Sequence, residues 1–262
     1  MNKQQTILIS IFVALFFGMY FGCDYVPKNH EKTAEKDKST EEVADIDKLV
    51  ENAIAALPDD KKAVVATLEQ QLKLADSDTA RLNGLKKLSG EWFRFNNLAV
   101  SGIYAEQVAK VENSEKAWMI CGIMYMDAVQ QNETSAIRQF CTVNAVNAFE
   151  NAITANPENI ENRINLALCY TDNPPQDNPM KGILMLRDLD SKYPSNPKVL
   201  FQLARLAMRT NQFDKAIARL EQILAIQAGN TSAICLLADA YKAAGKNDKA
   251  IVFAKKCESK IK

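Results

Sequence analysis

From Val43 onward, apolar residues recur every three or four positions. One such run extends from Ile46 to Leu57, and a second from Val64 to Leu74. This spacing places the apolar side chains on one face of an α-helix. Pro58, followed by two aspartates, separates the runs and is typical of a helix boundary. Residues 43–81 are therefore predicted to form a leading helical hairpin.

The first 42 residues follow a different pattern. The run from Ile7 to Gly22 has sixteen residues without a charge, close to the shortest helix that crosses ~30 Å of hydrocarbon. Residues 24–42 carry charges of both signs and almost nothing apolar after Val26, so they cannot bury a core. We expect a membrane anchor or signal segment at 1–23 and a charged flexible linker at 24–42.

Three interpretations of the segment at 1–23 stay open. An uncleaved single-pass anchor is favoured, because bulky Met19, Tyr20 and Phe21 stand where cleavage requires small residues. A lipoprotein acylated at Cys23 is the alternative, since Gly22 and Cys23 match the end of a lipoprotein signal. Simple cleavage comes third. Lysines lie on both flanks, so the side of the membrane that holds the remaining chain stays open.

Small residues recur at a nearly constant interval in the second half of the chain. One series, at intervals of 37, 34 and 34 positions, consists of Ala145, Gly182, Ala216 and Ala250. A second series precedes it and consists of Gly122, Ala167, Ala204 and Ala238. Small residues in paired helices allow the helices to approach closely. The pattern predicts a tandem repeat of helix pairs.

The pattern resembles the tetratricopeptide repeat, a 34-residue helix-turn-helix unit. The stretch from Trp118 to Tyr125 matches W-x2-L-G-x2-Y with Cys in place of Leu, and the stretch from Ala145 to Pro157 matches A-x3-F-x2-A with its closing Pro. The resemblance implies an all-α fold, an α-solenoid of stacked repeats, preceded here by an N-terminal membrane helix. It covers residues 82–262, with a degenerate repeat at about 82–114 followed by repeats at 115–159, 160–196, 197–230 and 231–262.

Two repeats are longer than the pattern. Repeat 115–159 has eleven extra residues between its helices, and repeat 160–196 has three. Together with the N-terminal segment and the leading hairpin, these insertions resemble small membrane-anchored tetratricopeptide proteins of Bacteroidetes-type bacteria.

Composition excludes several functions. With 32 basic and 32 acidic side chains the net charge is zero, which argues against a nucleic-acid partner. Motifs for nucleotide binding and common hydrolases are missing, and one histidine, His30, cannot build a metal or triad site. The six cysteines lie at least 20 positions apart, and five occupy predicted helix cores. We expect no enzyme, no cofactor, no metal and no disulfide framework, with the cysteines as buried thiols.

The resemblance assigns a concave groove to four positions in the first helix of each repeat. It implies these groove residues: Met119, Ile123, Met126, Ile164, Leu168, Phe201, Arg205, Met208, Asp239 and Lys242. Several of them are apolar where the family's chaperone-binding clamp needs Lys and Asn, so that clamp is absent. An apolar groove containing methionine suits a protein or amphipathic-helix partner. The prediction is a membrane-anchored, non-enzymatic scaffold.

Two alternatives accompany this prediction. The insertion at 126–144 would abolish the binding site if it folded into the groove. In the second alternative the chain is a self-associating structural subunit of an envelope complex. The sequence ends after the second helix of its last repeat, so Ile251 and Phe253 are expected to face outward, and any homo-oligomer is expected to form through residues 246–262.

Overall fold

The computed structural model describes residues 45–131 and 135–261, and these residues form α-helices joined by short turns. The chain divides into one unit at 1–42 and a second at 43–262, and the description concerns the second. Its helices are α1 (Ile46–Ala56), α2 (Asp59–Lys73), α3 (Asp78–Arg94), α4 (Leu98–Glu112), α5 (Glu115–Val129), α6 (Ser135–Ala155), α7 (Ile160–Asp172), α8 (Lys181–Lys192), α9 (Pro197–Arg209), α10 (Phe213–Ile226), α11 (Thr231–Ala243) and α12 (Asn247–Ile261).

The membrane prediction lies outside this part of the chain. Segment 1–23, with Cys23, and linker 24–42, with His30, precede the first described residue. Among the helices from α1 to α12, none has the length and apolar character to cross a bilayer.

Consecutive helices pack against each other as pairs, and each pair also packs against the next pair. In the leading segment, α2 packs closely on α3, while α1 places Leu49 and Val50 against the cores on both sides of α4. From α3 onward each predicted repeat holds two helices, and the first of them is α3, α5, α7, α9 or α11. We call the side of α5, α7, α9 and α11 that carries the predicted groove positions the first-helix face.

Asparagine begins the first helix in each of the last three repeats. Asn159, Asn196 and Asn230 accept hydrogen bonds at 3.0–3.2 Å from backbone N–H groups two or three residues later. A side-chain acceptor at this position satisfies N–H groups that have no partner within the helix. In these repeats an asparagine cap thus defines where the first helix begins, in addition to the packing of the core.

The turn within a short repeat depends on one residue in the left-handed region. Asn96, Asn211 and Gly245 have φ values of 60, 56 and 71°, which Asn and Gly adopt at the lowest cost. The equivalent positions in the two long repeats are Val129 and Pro174. A β-branched residue is strained at positive φ and proline cannot reach it, so these repeats need a longer connection.

The eleven-residue insertion extends helices. Helix α6 has 21 residues, whereas α10 at the same place in a short repeat has 14. Near its start, Phe140 meets the buried Tyr125 ring edge-on at a centroid distance of 5.7 Å, and Ile137 packs against the same core. These residues of the insertion therefore pack against their own repeat, 115–159.

The small residues lie where the helices approach most closely, as the spacing predicts. A Cβ atom on Gly122 would stand 2.8 Å from the Phe149 ring, and one on Gly182 would stand 2.4 Å from the carbonyl oxygen of Ala167. Ala216 and Ala238 are buried. The predicted close packing is confirmed.

Tyrosines link neighbouring repeats. Tyr125 donates a hydrogen bond to Glu106 at 2.8 Å, and Tyr170 donates one to Glu150 at 3.4 Å. Tyr241 forms the same bond with Glu221, and its burial together with this bond raises its pKa to about 12. Repeat 197–230 has Ala207 at this position, so its junction with the preceding repeat lacks the link.

The expectation that the cysteines are buried thiols is wrong for one pair. Cys235 of α11 and Cys257 of α12 are bonded, with their Cα atoms 5.0 Å apart. They are 22 positions apart in sequence, but the helix pair brings them together. Cys121 and Cys169 are buried thiols, as predicted, and burial raises the pKa of Cys169 to about 12.

The last helix differs from the prediction at one residue. Ile251 is 57% exposed, whereas Phe253 is partly buried and its ring lies 5.6 Å from that of Tyr241 at an angle of 36°. The expectation that Phe253 faces outward is wrong, because its side chain packs against the core formed by α9–α12.

Candidate functional site: clefts on the first-helix face

Three open clefts lie among the described residues, and the two on the first-helix face contain predicted groove residues. The amide cleft lies across the starts of α7, α9 and α11 and has a volume of about 460 Å³. The arginine cleft lies near the ends of α5, α7 and α9 and has a volume of about 550 Å³. Helices α7 and α9 contribute to both.

The amide cleft combines an apolar floor with polar walls. Ile164 and Phe201 lie together in it, one helix apart, as predicted. Its walls carry the amides of Asn165, Gln202 and Gln227, and Glu161 forms an ion pair with Lys198 across α7 and α9. Amide side chains both donate and accept hydrogen bonds, so this surface suits a polypeptide backbone lying over apolar contacts.

The arginine cleft is more strongly charged. Arg138, Arg205 and Arg209 line it together with Asp127 and Asp172. Arg209 holds Asp172 through a contact of 2.8 Å, and burial raises the pKa of Asp127. Among the described residues neither Arg138 nor Arg205 forms an ion pair. Arg205 donates a hydrogen bond to the amide of Gln202 at 3.1 Å, and neither guanidinium group has a carboxylate partner among these residues.

Described residues of the insertion at 126–144 line the arginine cleft. Met126 and Leu168 line it, and so does Arg138 from the extension of α6. The insertion thus frames this part of the face and adds a cationic residue to it. Sequence reasoning missed Arg138, because it treated the insertion as a possible cover.

The remaining predicted groove residues are dispersed. Met119 and Ile123 are half-buried against the core of α4–α7, and Met208 is half-buried against that of α9–α12. Asp239 and Lys242 are exposed on α11 and line none of the three clefts.

One of the predicted apolar groove residues is almost completely buried. Ile164 retains only 4% of its surface because the core formed by α7, α8 and α9 encloses it. The predicted groove residues that line a cleft are Ile164 and Phe201 in the amide cleft and Met126, Leu168 and Arg205 in the arginine cleft.

The third cleft was missed from the sequence. This α3–α5 pocket, of about 590 Å³, lies between α3 and α5 with α4 as its floor. Ala105 of α4 is equivalent to Phe149 of the next repeat, because each stands four positions after a small residue, Ser101 or Ala145. A small residue at the position of a large one leaves space, and this signal was visible in the sequence.

In the described part of the chain, no group of three or more His, Cys, Asp or Glu side chains could hold a metal ion.

Comparison with known proteins supports the repeat assignment. Residues 181–234 and 231–259 match two family models that are both described as tetratricopeptide repeat. No curated protein matches the sequence.

Solved structures of similar fold include a tetratricopeptide repeat protein from Parabacteroides merdae, with 14% identity over 82% of this chain and 77% of that one and a TM-score of 0.55. PilW, described as a type IV pilus biogenesis factor, has 21% identity over 69% and 77% of the two chains, with a TM-score of 0.49. MamA has 16% identity over 68% and 91%, with a TM-score of 0.44. The first of these supports the α-solenoid fold.

Proposed function

Because the chain is a tetratricopeptide repeat protein, we propose that it is a non-enzymatic scaffold that holds a segment of a partner protein along the first-helix face. The adjoining amide and arginine clefts carry this proposal. A segment lying along α7 and α9 would place apolar side chains on Phe201 and Leu168 and its backbone against the amides of Asn165 and Gln202. Acidic residues of that segment would reach Arg138 and Arg205.

The chemistry of the clefts suits recognition. Their carboxylates lie beside cations, as in the pairs Glu161–Lys198 and Asp172–Arg209. Such pairs define where opposite charges of a partner fit and contribute to specificity. Hydrophobic contacts with Phe201 and Leu168 would supply the affinity.

Exchange of one exposed arginine tests the proposal. The full chain is purified from detergent-solubilised membranes with its partner, and Arg205→Glu is compared with Arg187→Glu, an equally radical change at an exposed position of α8 outside the clefts. The proposal requires the partner to be lost with Arg205→Glu and kept with Arg187→Glu. If Arg205→Glu retains the partner while its helicity is unchanged, the first-helix face is not the binding surface.

We also propose that residues 1–23 anchor the scaffold in a membrane, with acylation at Cys23 as the alternative, and that the helical unit lies in an oxidising compartment. The disulfide between Cys235 and Cys257 supports the second part, because such bonds persist outside the reducing cytosol. Intact-mass measurement distinguishes residues 1–22 retained from a mature chain that starts at an acylated Cys23. Alkylation before reduction leaves the pair unmodified if it is oxidised in cells, and modification of both thiols would place the unit in a reducing compartment.

Exposed apolar residues of α12 favour self-association as a second candidate function. Ile251 and Val252 are each more than half exposed, and neighbouring exposed apolar residues mark contact surfaces. Light scattering of the full chain in detergent tests this. An oligomer that becomes a monomer with Ile251→Lys and Val252→Lys supports a contact through residues 246–262, whereas a monomeric wild-type chain excludes it.

A further inference from the structure

We propose that the α3–α5 pocket takes the large apolar side chains of an amphipathic helix in the partner protein, with an acidic residue of that helix facing Lys116. The inference rests on the proposed scaffold function and adds a separate binding site to it. None of the residues that line this pocket belongs to the amide or arginine cleft.

The pocket exists because one core position is occupied by a small residue. Large side chains stand at the equivalent position in the next three repeats, where Phe149, Leu186 and Leu220 are fully buried. Ala105 stands there in repeat 82–114 and forms part of the floor. The volume of about 590 Å³ is in the range of about 300–1,000 Å³ of typical ligand sites.

The apolar surface continues beyond the cavity. Phe93 of α3 is 52% exposed and Ile120 of α5 is 41% exposed, and both line the opening on opposite sides. Met124 adds a flexible apolar side chain, which adapts its shape to a partner. A helix laid between α3 and α5 would insert its anchors and cover both rims, whereas a single acyl chain would fill the cavity and leave the rims in water.

The charge at the opening determines which charge on a partner residue is favoured there. Lys86 is paired with Glu112, so these two charges offset each other. Lys116 lies on the other wall and, among the described residues, has no carboxylate within ion-pair distance. The pocket therefore presents apolar walls and one uncompensated positive charge, which complements an acidic residue beside apolar anchors.

Site-specific photo-cross-linking tests this proposal on the full chain in the cells that make it. Benzoylphenylalanine replaces Ile120, and the control replaces Leu184, which is 50% exposed on α8. The expected product is a peptide of another protein with apolar residues at intervals of three and four positions and an acidic residue beside them. Ala105→Phe, which fills the pocket from below, should reduce the yield at least about tenfold, as loss of an anchor site does. The thermal unfolding midpoint should not fall.

A surface variant keeps the test decisive if Ala105→Phe does not fold. Lys116→Glu should reduce the yield several-fold, while Lys87→Glu, at an exposed lysine of α3 that lies outside the pocket, should leave it unchanged. Adducts with lipid, adducts within this chain or with a second copy, or a yield no higher than at Leu184 would overturn the proposal. If a partner sensitive to Arg205→Glu is captured while Ile120 yields no adduct, this inference fails and the scaffold function stands.

Discussion

The buried hydroxyl of Tyr125 provides a test of the links between repeats. It donates to Glu106 at 2.8 Å, whereas the partly exposed Tyr170 makes the equivalent bond to Glu150 at 3.4 Å. Removing a buried donor costs about 1–2 kcal/mol, so Tyr125→Phe should lower the free energy of unfolding by that amount. Tyr170→Phe should change it by less than about 0.5 kcal/mol. Chemical denaturation followed by circular dichroism measures both, and equal effects would contradict a role for burial.

Glu115 provides the clearest pH dependence. Its carboxylate accepts hydrogen bonds from Asn162 at 2.8 Å, Asn159 at 2.5 Å and Asn156 at 3.3 Å, and these bonds hold its pKa below the ordinary value of 4.5. A lowered pKa in the folded state contributes stability above the unfolded value and loses it as the pH falls through the folded value.

We expect Glu115→Gln to destabilise the fold near neutral pH and to reduce the loss of stability below about pH 4.5, where the wild-type carboxylate becomes protonated. Thermal unfolding midpoints measured across this pH range provide the comparison. A difference between wild type and variant that stays constant as the pH falls would show that the carboxylate charge is not responsible.

At the scale of the helix pair, Gly245 tests the turn mechanism. Its φ is 71°, and a Cβ atom added there would meet no atom within 4 Å. Any cost of Gly245→Ala therefore comes from the backbone and should be about 1 kcal/mol. Gly229→Ala is the matched control, because that residue also has open space but no positive φ. Denaturation midpoints should fall for the first variant only, and a fall in both would contradict the turn argument.

The disulfide should stabilise the last helix pair. It closes a segment with a sequence separation of 22 between α11 and α12, and bonds of this kind contribute about 2–4 kcal/mol. Replacing both Cys235 and Cys257 by Ser should lower the unfolding midpoint, and a reductant should lower that of the wild type equally. A wild-type midpoint that ignores the reductant would show that the thiols are unpaired.

The repeat pattern could be predicted from the sequence because close helix packing restricts residue type at a few positions. Gly122 and Gly182 meet neighbouring atoms at distances that exclude a Cβ atom, so their spacing revealed the helix pairs. The disulfide could not be predicted in this way, because sequence separation does not show which residues of two helices face each other. The role of the insertion was also hidden, since its helical extension depends on contacts such as that of Phe140 with Tyr125.

The candidate site was only partly predictable. The positions of Leu168, Phe201 and Arg205 within their repeats predicted the face on which they lie, and the structure places them in clefts there. Register alone could not show that Ile164 is enclosed by the core of α7–α9, because accessibility depends on the neighbouring repeat. The α3–α5 pocket could be inferred only from the small side chain of Ala105, at a position where the next repeats have a large residue.

At the scale of the whole molecule, a stack of helix pairs carries the proposed binding face. In stacked repeats each unit contacts its neighbours, so an extended surface is built from several helices. Here α7 and α9 each contribute to two clefts, one with amides and one with arginines. A partner segment that engages both clefts, as proposed, would gain specificity from amide contacts and from charge.

The affinity of the purified full chain for its co-purified partner tests this claim most directly, when it is measured for wild type, Arg205→Glu and Arg187→Glu at two salt concentrations. The account predicts that Arg205→Glu weakens binding at least about tenfold, as loss of one charge contact at an interface does. It also predicts that the deficit shrinks at high salt and that Arg187→Glu binds like the wild type. Equal affinity of the two variants would contradict it.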